Sequence, residues 1–279
     1  MIRKKKSLGQ HFLRAKNYLA AVADAVEIVL GETVLEVGPG DGALTKELLA
    51  RGARVVAVEK DRRLIPILKE KFKDYDISKF QVIEGDALEF DISNHITMPH
   101  KTEGYDVYKV VGNIPYYITG ALIKKFLSAE HQPTALVFLV QKEVAQRITG
   151  HPSTKLGVTK ESILSLSVKA YGTPCYIKTV PAGAFVPPPK VESAILAVTN
   201  VSRGRFTSIA HEERFFDLLH KGFGSKRKLL ASNLKPLLGE RTVELLEKAG
   251  VPKNARAEDV PLEAWLALSN VDGLILAHP

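Results

Sequence analysis

The segment Thr33-Val-Leu-Glu-Val-Gly-Pro-Gly-Asp-Gly42, with Ala43–Ala50 after it, decides the fold class of this chain. Its apolar start predicts a buried strand, its glycines a turn, and Ala43–Ala50 a helix. Similar units follow along the chain: strands are predicted at Arg54–Glu59, Phe80–Glu84, Val107–Val111 and Ala135–Val140, with helical stretches up to about Phe72 and over Ile118–Ala129. Repeated strand–helix units predict a mostly parallel sheet with helices on both faces.

The pattern changes in the last third of the chain. Tyr176–Val180 and Ser193–Thr199 are predicted strands without a long helix between them, so we expect them to pair antiparallel. The remainder carries apolar residues at helical spacing in four segments: Glu212–Lys221, Arg227–Leu238, Thr242–Ala249 and Leu262–Ser269. The sequence therefore predicts an α/β domain over 1–200, with an antiparallel last strand, and a small helical domain over 201–279.

Composition excludes several classes of protein. The chain has 279 residues, of which 45% are hydrophobic and 25% charged, and this excludes disordered and low-complexity proteins. The single cysteine, Cys175, excludes a disulfide framework and a cysteine-based zinc or iron–sulfur site, and no metal is expected. The longest clean apolar run, Ala135–Val140, is far too short to span a bilayer. Without a signal peptide or lipidation motif, we expect a cytoplasmic protein that does not bind membranes.

Positive charge is concentrated in two segments. Residues 1–23 hold six Lys or Arg residues and 218–239 hold five, and neither segment contains an acid. The rest of the chain has 28 basic and 31 acidic residues, although the whole chain has a net charge of +8. Two acid-free basic segments are compatible with plain solvated surface but also indicate binding to a polyanion such as nucleic acid.

The glycine turn indicates a nucleotide cofactor. Gly38 and Gly40 allow a ligand to approach the backbone beyond the strand end, and Glu59 ends the next strand where an acid would bind ribose. These features suit either NAD or S-adenosylmethionine (SAM). Glu36-x-Gly-x-Gly-x-Gly42 is similar to the SAM methyltransferase motif, and Asp86 at the third strand end could accept a hydrogen bond from an adenine amino group. Together they favour SAM.

The segment Val111-Gly-Asn-Ile-Pro-Tyr-Tyr117 carries the predicted chemistry. It resembles the motif of methyltransferases that modify exocyclic amino groups of bases. An adenine amino nitrogen is a poor nucleophile because its lone pair is delocalised. The amide oxygen of Asn113 and the main-chain oxygen of Ile114 could accept its two N–H bonds and direct the lone pair at the methyl group. Pro115 would rigidify this turn and Tyr116 would stack on the base.

Further motifs identify the chain as similar to the ribosomal RNA adenine N6,N6-dimethyltransferases, from about residue 7 to 270. The matching segments are Leu8-Gly-Gln-His-Phe-Leu13, Phe138-Leu-Val-Gln-Lys-Glu-Val-Ala145, Phe185-Val-Pro-Pro-Pro-Lys-Val-Glu-Ser193 and Arg227-Lys-Leu-Leu-Ala-Ser-Asn-Leu234. Within that family the chain resembles the KsgA type, which methylates two adjacent adenosines in the 3′-terminal hairpin of 16S rRNA. The resemblance implies a Rossmann-like SAM-dependent methyltransferase sheet.

The resemblance also implies roles for individual residues. His11, Leu13, Gly38, Glu59, Asp86 and Asn113 would contact SAM, and Phe185 would be a second stacking face for the target adenine. His11 and Tyr117 depart from the family, which usually has Asn at the first position and often at the second. The expected partner is 16S rRNA within a 30S precursor, bound by a monomer. The basic residues expected to bind RNA are Lys4, Lys5, Lys6, Lys221, Lys226, Arg227 and Lys228.

Three alternatives stay open at this point. A large-subunit rRNA adenine methylase of the macrolide-resistance type would share the glycine and Asn-x-Pro-Tyr motifs. A non-catalytic RNA-binding assembly or transcription factor could use the same fold, although the intact Glu59, Asp86 and Asn113 argue against it. An NAD oxidoreductase is the most distant alternative, because an NAD site does not need Asp86.

Overall fold

The computed structural model describes residues 11–91, 101–102, 105–150 and 160–271. The strands are β1 (Phe12–Leu13), β2 (Thr33–Val37), β3 (Arg54–Glu59), β4 (Phe80–Glu84), β5 (Lys101–Thr102), β6 (Tyr105–Asp106), β7 (Tyr108–Asn113), β8 (Ala135–Gln141), β9 (Thr173–Val180), β10 (Phe185–Val186) and β11 (Ser193–Thr199). The helices are α1 (Lys16–Ala25), α2 (Ala43–Ala50), α3 (Ile65–Lys71), α4 (Thr119–Leu127), α5 (Lys142–Thr149), α6 (Ile163–Tyr171), α7 (Ile209–Gly222), α8 (Leu230–Leu238), α9 (Thr242–Lys248) and α10 (Leu262–Ser269).

Seven strands form one mixed sheet in the order β4-β3-β2-β7-β8-β11-β9. The pairs from β4 to β8 are parallel, and β11 runs antiparallel to both of its neighbours. The predicted fold class, a mostly parallel sheet with an antiparallel last strand, is therefore confirmed. The chain order reverses at β2, because β3 lies on one side of it and β7 on the other. Ligands bind at such a switch point, beyond the carboxyl ends of the strands.

Several predicted element boundaries differ from the structure. The strand predicted at Val107–Val111 starts one residue later and continues to Asn113. The strand predicted from Tyr176 starts at Thr173, because Pro174 lies on an edge strand, where its missing N–H costs no ladder bond. The helix predicted from Arg227 starts at Leu230. No element is predicted from the sequence at α1, α5, α6 or the two-residue strands.

The chain divides into two compact units. The first, the sheet unit, comprises 1–145 and 173–201, and the second, the helical unit, comprises 146–172 and 202–279. The helical unit thus includes α6, which lies before the predicted boundary at residue 200. This helix was missed because the strand–helix alternation in the sequence extends only to about residue 150. The apolar faces of α6 and α7 contribute Leu166 and Phe215 to the core of the helical unit, around the single tryptophan, Trp265.

The core of the sheet unit is formed by the central strands and the helices that cover them. Leu48 of α2 and Val55 of β3 are fully buried there, as is Leu139 of β8. The short strands β1 and β10 pair antiparallel, with Leu13 opposite Phe185, and this pairing brings the start of the described chain onto the sheet unit. No helix within the described ranges is both long and apolar enough to cross a membrane.

Candidate active site

Parallel register brings four strand ends to the same edge of the sheet. Val37 of β2 pairs with Val58 of β3 and with Gly112 of β7, while Glu59 pairs with Glu84 of β4. The residues that directly follow these strands therefore lie side by side. A cavity of about 230 Å³ opens at this edge. It is lined by the turn after β2, the ends of β3 and β4, residues 113–118 and the segment 11–13.

Ten of the predicted site residues line this cavity. They are His11, Leu13, Gly38, Gly40, Glu59, Asp86, Asn113, Ile114, Pro115 and Tyr116. Phe185 is not among them: it is 2% exposed and packs in the core of the sheet unit. Phe185 pairs with Leu13 between β1 and β10, and its role as a second stacking face stays a prediction.

The two glycines of the turn differ in what lies next to them: open space beside Gly38, and the Phe12 side chain beside Gly40. Gly38 and Gly40 both have positive φ angles, of 66° and 61°. A Cβ added at Gly38 would meet nothing within 4 Å, whereas one at Gly40 would lie 2.7 Å from the ring of Phe12. The backbone at Gly38 is thus open to the cavity, while Gly40 is held against the N-terminal segment.

Glu59 is fixed by backbone donors. Its two carboxylate oxygens accept hydrogen bonds from the amide of Gly40 at 3.0 Å and from that of Asp61 at 2.8 Å. The side chain is buried, and burial raises the pKa of Glu59 above its ordinary value. The carboxylate that ends β3 is thereby locked to the glycine turn that follows β2.

Asp86 lies in a different electrostatic environment. Its Oδ2 atom accepts a hydrogen bond from Lys60 Nζ at 2.5 Å and its Oδ1 from the amide of Leu88 at 3.0 Å. The hydrogen bond from Lys60 is the main cause that lowers the pKa of Asp86. Lys60 lines the cavity but was not predicted as a site residue; its place directly after Glu59 was the available signal.

Glu36 is a buried carboxyl group in β2. Thr45 Oγ1 donates a hydrogen bond of 2.6 Å to it, and burial raises the pKa of Glu36 to about 8. Glu36 lines the cavity. In the sequence, Glu36 identifies the glycine motif, and no role is predicted for it.

Asn113 has a defined amide orientation. Its Nδ2 donates a hydrogen bond of 2.7 Å to the main-chain oxygen of His11, which can only accept. This bond fixes which end of the amide faces the N-terminal segment and leaves Oδ1 as the other end. Within the described ranges, Oδ1 has no hydrogen-bond partner and is free to accept a donor from a ligand.

Tyr116 is held at the cavity by its hydroxyl group. Its Oη shares a hydrogen bond of 2.6 Å with Oγ of Ser193, a buried residue of β11. The ring is half-buried and lines the cavity, as a stacking residue requires. Nothing in the sequence around Ser193 indicates this partner, because the two residues are 77 positions apart.

The predicted RNA-binding residues divide between two regions. Lys4, Lys5 and Lys6 lie outside the described residues. Lys221, Lys226, Arg227 and Lys228 are exposed on the helical unit, and none of them forms an ion pair with another described residue. Asn233 Nδ2 donates to the main-chain oxygens of Gly222 and Ser225, at 2.6 and 3.0 Å, and so holds the loop that carries three of these cations.

No group of three or more His, Cys, Asp or Glu side chains among the described residues is arranged to hold a metal ion.

Comparison with known proteins identifies a family with this architecture. Residues 1–272 match the family model described as ribosomal RNA adenine dimethylase. A Dehalococcoides mccartyi protein named ribosomal RNA small subunit methyltransferase A is 40% identical over 271 residues, covering 96% of this chain and 88% of that protein. A Thermosynechococcus vestitus protein of the same name is 39% identical over 277 residues, covering 97% of each chain.

Solved structures give the same grouping. The 23S rRNA methyltransferase ErmE is 28% identical, with a TM-score of 0.70 over 92% of this chain and 98% of that chain. A dimethyladenosine transferase from Plasmodium falciparum is 25% identical, with a TM-score of 0.70 over 92% of this chain and 96% of that chain.

Proposed function

The chain belongs to the ribosomal RNA adenine dimethylase family, and from this premise we propose that it methylates adenosine N6 in small-subunit (16S) rRNA, with SAM as the methyl donor. It is a SAM-dependent rRNA adenine dimethyltransferase. Relatives named for the small subunit share about 40% identity with nearly the whole chain. The structural observation that carries the proposal is the orientation of Asn113, whose Oδ1 is the free end of its amide at the cavity.

The finer description of the substrate is also a proposal. We infer that the target is two adjacent adenosines in the 3′-terminal hairpin, within a 30S precursor, and that the product is N6,N6-dimethyladenosine. The modification would contribute to small-subunit biogenesis. We propose that a monomer does this in the cytoplasm, where that precursor is assembled.

The cavity has the features that SAM requires. Gly38 leaves open space where a side chain would otherwise stand; Glu59 ends β3, and Asp86 lies two residues beyond the end of β4. Glu59 would accept hydrogen bonds from the ribose hydroxyls, and Asp86 from the adenine amino group. Gly40, Leu13 and the backbone of His11 would complete the contacts. When bound, SAM supplies an electrophilic methyl group on a positively charged sulfur.

The residues after β7 would prepare the target nitrogen. Asn113 Oδ1 and the main-chain oxygen of Ile114 would accept its two N–H bonds, which draws the nitrogen toward a tetrahedral geometry and exposes its lone pair. Pro115 restricts the turn that carries both acceptors, and Tyr116 would stack on the base. Catalysis then depends on positioning and on preorganised dipoles, since the alkylated nitrogen loses its proton readily.

Exposed cations would bind the RNA backbone. Lys221, Lys226, Arg227 and Lys228 are unpaired within the described chain, so no internal ion pair has to be broken before a phosphate binds. Each contact releases condensed counterions, which makes the affinity depend on salt. We propose the same role for Lys4, Lys5 and Lys6.

A large-subunit target is the second candidate, because ErmE has a TM-score of 0.70 with this chain. The sequence identity favours the small subunit, since it is 28% to ErmE and about 40% to the relatives named for the small subunit.

Mapping of the methylated bases tests the proposed function. The protein is incubated with SAM and undermethylated 30S particles, and RNA fragments are analysed by mass. We expect two dimethylated adenosines near the 3′ end of 16S rRNA and none in 50S particles treated in parallel. Methylation confined to the 50S RNA would establish the second candidate, and no methylation of either particle would contradict the proposal.

A further inference from the structure

Tyr116 and Ser193 form an isolated pair of hydroxyl groups beside the cavity. Tyr116 Oη lies 2.6 Å from Ser193 Oγ, and either atom could be the donor. Within the described ranges, each hydroxyl is the other's only hydrogen-bond partner. Ser193 is fully buried, whereas the ring of Tyr116 is half-buried and lines the cavity. The bond therefore joins a group that a ligand can reach to one that it cannot.

The register of the sheet brings this serine to the site from a strand that is distant in the sequence. Asn113, the last residue of β7, pairs with Leu139 of β8. Gln141 ends β8 two residues further along and pairs with Ser193 of β11. Ser193 thus begins β11 at the edge of the sheet where the turn after β7 carries Tyr116. Its own place is fixed on both sides, because β11 pairs with β8 on one side and with β9 on the other.

The hydrogen bond fixes the ring of Tyr116 at its far end. The near end is set by the backbone, because Tyr116 begins a short 3₁₀ helix directly after Pro115. A tyrosine ring can swing between rotamers about its first side-chain torsion, and an anchor at the hydroxyl prevents this movement. The ring therefore keeps one orientation at the cavity before a base arrives. Such preorganisation reduces the side-chain entropy that is lost when a base stacks on the ring.

We propose that Ser193 is a positioning residue for base methylation, which acts through the Tyr116 hydroxyl and touches neither the base nor SAM. The inference rests on the proposed function, in which Tyr116 stacks on the target adenine. Ser193 also lies at the end of the segment that begins with Phe185, the other predicted stacking residue. The hydrogen bond thus ties together the two parts of the chain that would hold the base.

A double-mutant cycle separates this role from a merely structural one. The proteins are the parent, Ser193→Ala, Tyr116→Phe and the variant with both changes, all of which keep an aromatic ring at position 116. The single-turnover rate of methyl transfer to undermethylated 30S particles is measured at saturating SAM and RNA, and equilibrium titration gives the Kd for SAM. Thr33→Val is the matched control. It removes a buried hydroxyl that has no hydrogen-bond partner within the described chain, at the start of β2 and so at the opposite edge of the sheet.

We expect the single-turnover rate to fall about 2- to 12-fold in Ser193→Ala, the range for one hydrogen bond, with an unchanged Kd for SAM. Tyr116→Phe should lose as much, and the double variant no more than either single variant, because both changes break the same bond. Thr33→Val should keep the parent rate.

A parent-like rate in Ser193→Ala, losses that multiply in the double variant, or a matching loss of SAM affinity would each overturn the role of Ser193 and leave the proposed function in place. If the parent itself does not methylate adenine, the proposed function fails, and the role of Ser193 that rests on it fails as well.

Discussion

The sheet unit and the helical unit use polar groups in opposite ways. In the sheet unit, Glu36 and Glu59 are buried at the cavity and are held by a hydroxyl or by backbone amides. In the helical unit, the cations Lys226, Arg227 and Lys228 are exposed and form no ion pair with a described residue. The first arrangement suits recognition of a small molecule in fixed geometry, and the second suits long-range attraction to a polyanion.

The cost of a mutation should differ accordingly. A buried hydrogen-bonded group at the cavity acts in a water-poor site, so its loss should lower a rate or an affinity by a large factor. An exposed cation is one of several and acts through solvent, so its loss should change the affinity gradually and mostly through the salt dependence.

Asn113 should show the largest effect. Its Oδ1 is proposed to accept a hydrogen bond from the adenine amino group, and this bond strengthens as the nitrogen gains positive charge. Removing the Asn113 side chain should therefore destabilise the transition state more than the ground state. We expect Asn113→Ala to lower the single-turnover rate about 10²–10³-fold, under saturating SAM and RNA. Asn113→Asp keeps an acceptor and should retain more activity. A parent-like rate in Asn113→Ala would remove Asn113 from the mechanism. SAM affinity must be measured in both variants, because the resemblance also places Asn113 near the cofactor.

Glu59 should control cofactor affinity. Each hydrogen bond from a ribose hydroxyl to a charged carboxylate contributes about 1.5–3 kcal/mol, so losing even one should weaken SAM binding about 10- to 150-fold. Isothermal titration of Glu59→Ala checks this. The matched control is Glu84→Ala, since Glu84 pairs with Glu59 in the sheet but is exposed outside the cavity. Unchanged affinity in a folded Glu59→Ala protein would contradict the assignment.

The stability of the sheet unit should decrease as pH rises. Burial raises the pKa of Glu36 to about 8, above the ordinary value of 4.5, so the folded state holds a proton that the unfolded chain has lost. The contribution of Glu36 to the free energy of unfolding is complete below pH 4.5 and is lost as pH approaches 8. The free energy of unfolding then falls by at most about 1.4 kcal/mol per pH unit. Hydrogen exchange of the β2 amides at several pH values measures this free energy of unfolding. Glu36→Gln, which can still bind Thr45, should reduce this slope and leave the smaller contribution of Glu59, whose pKa burial also raises; a slope unchanged in that variant would exclude Glu36 as its source.

The helical unit should respond to pH in the opposite direction. His211 is buried and bonded to Ser269, and burial lowers its pKa below the ordinary 6.5. The unfolded chain therefore binds a proton more readily, and stability present above pH 6.5 is lost as pH falls below it. Fluorescence of Trp265, the single and fully buried tryptophan, reports urea unfolding of this unit. The exposed His220→Gln variant should keep the pH dependence and His211→Gln should lose it. A pH dependence retained in His211→Gln would contradict the assignment.

The sheet unit was predictable wherever its chemistry lies in continuous segments. The glycine turn and Asn113–Tyr116 each follow a strand directly, and parallel strands carry their ends to one edge, so sequence order alone brought these residues together. Contacts between distant segments were not predictable. The β1–β10 pair joins two-residue strands that are far apart in the sequence and places Leu13 opposite Phe185, which is buried. The hydrogen bond between Tyr116 and Ser193 has no local signal for the same reason.

The helical unit was predictable only as a set of amphipathic helices. Its apolar spacing located α7 to α10, but α6 comes from before β9 and joins the unit through apolar packing and through the hydrogen bond that Tyr171 Oη donates to Glu212. The start of α8 was wrong by three residues, because the Asn233 side chain holds the preceding loop through main-chain oxygens, a bond that helical periodicity does not reveal.

The salt dependence of RNA binding tests most directly whether the two units divide the work in this way. The affinity for a hairpin from the 3′ end of 16S rRNA is measured from low to high salt for four proteins. They are the parent, Glu59→Ala, a helical-unit variant with Lys226, Arg227 and Lys228 changed to Gln, and a control with the exposed Lys69, Lys73 and Lys79 of the sheet unit changed to Gln.

We predict that the slope of log K against log salt is smaller by about 2 in the helical-unit variant, at roughly 0.7 per phosphate contact, and that its SAM affinity is unchanged. Glu59→Ala and the lysine control should keep the parent slope. A parent slope in the helical-unit variant, or an equal loss in the control, would contradict the account.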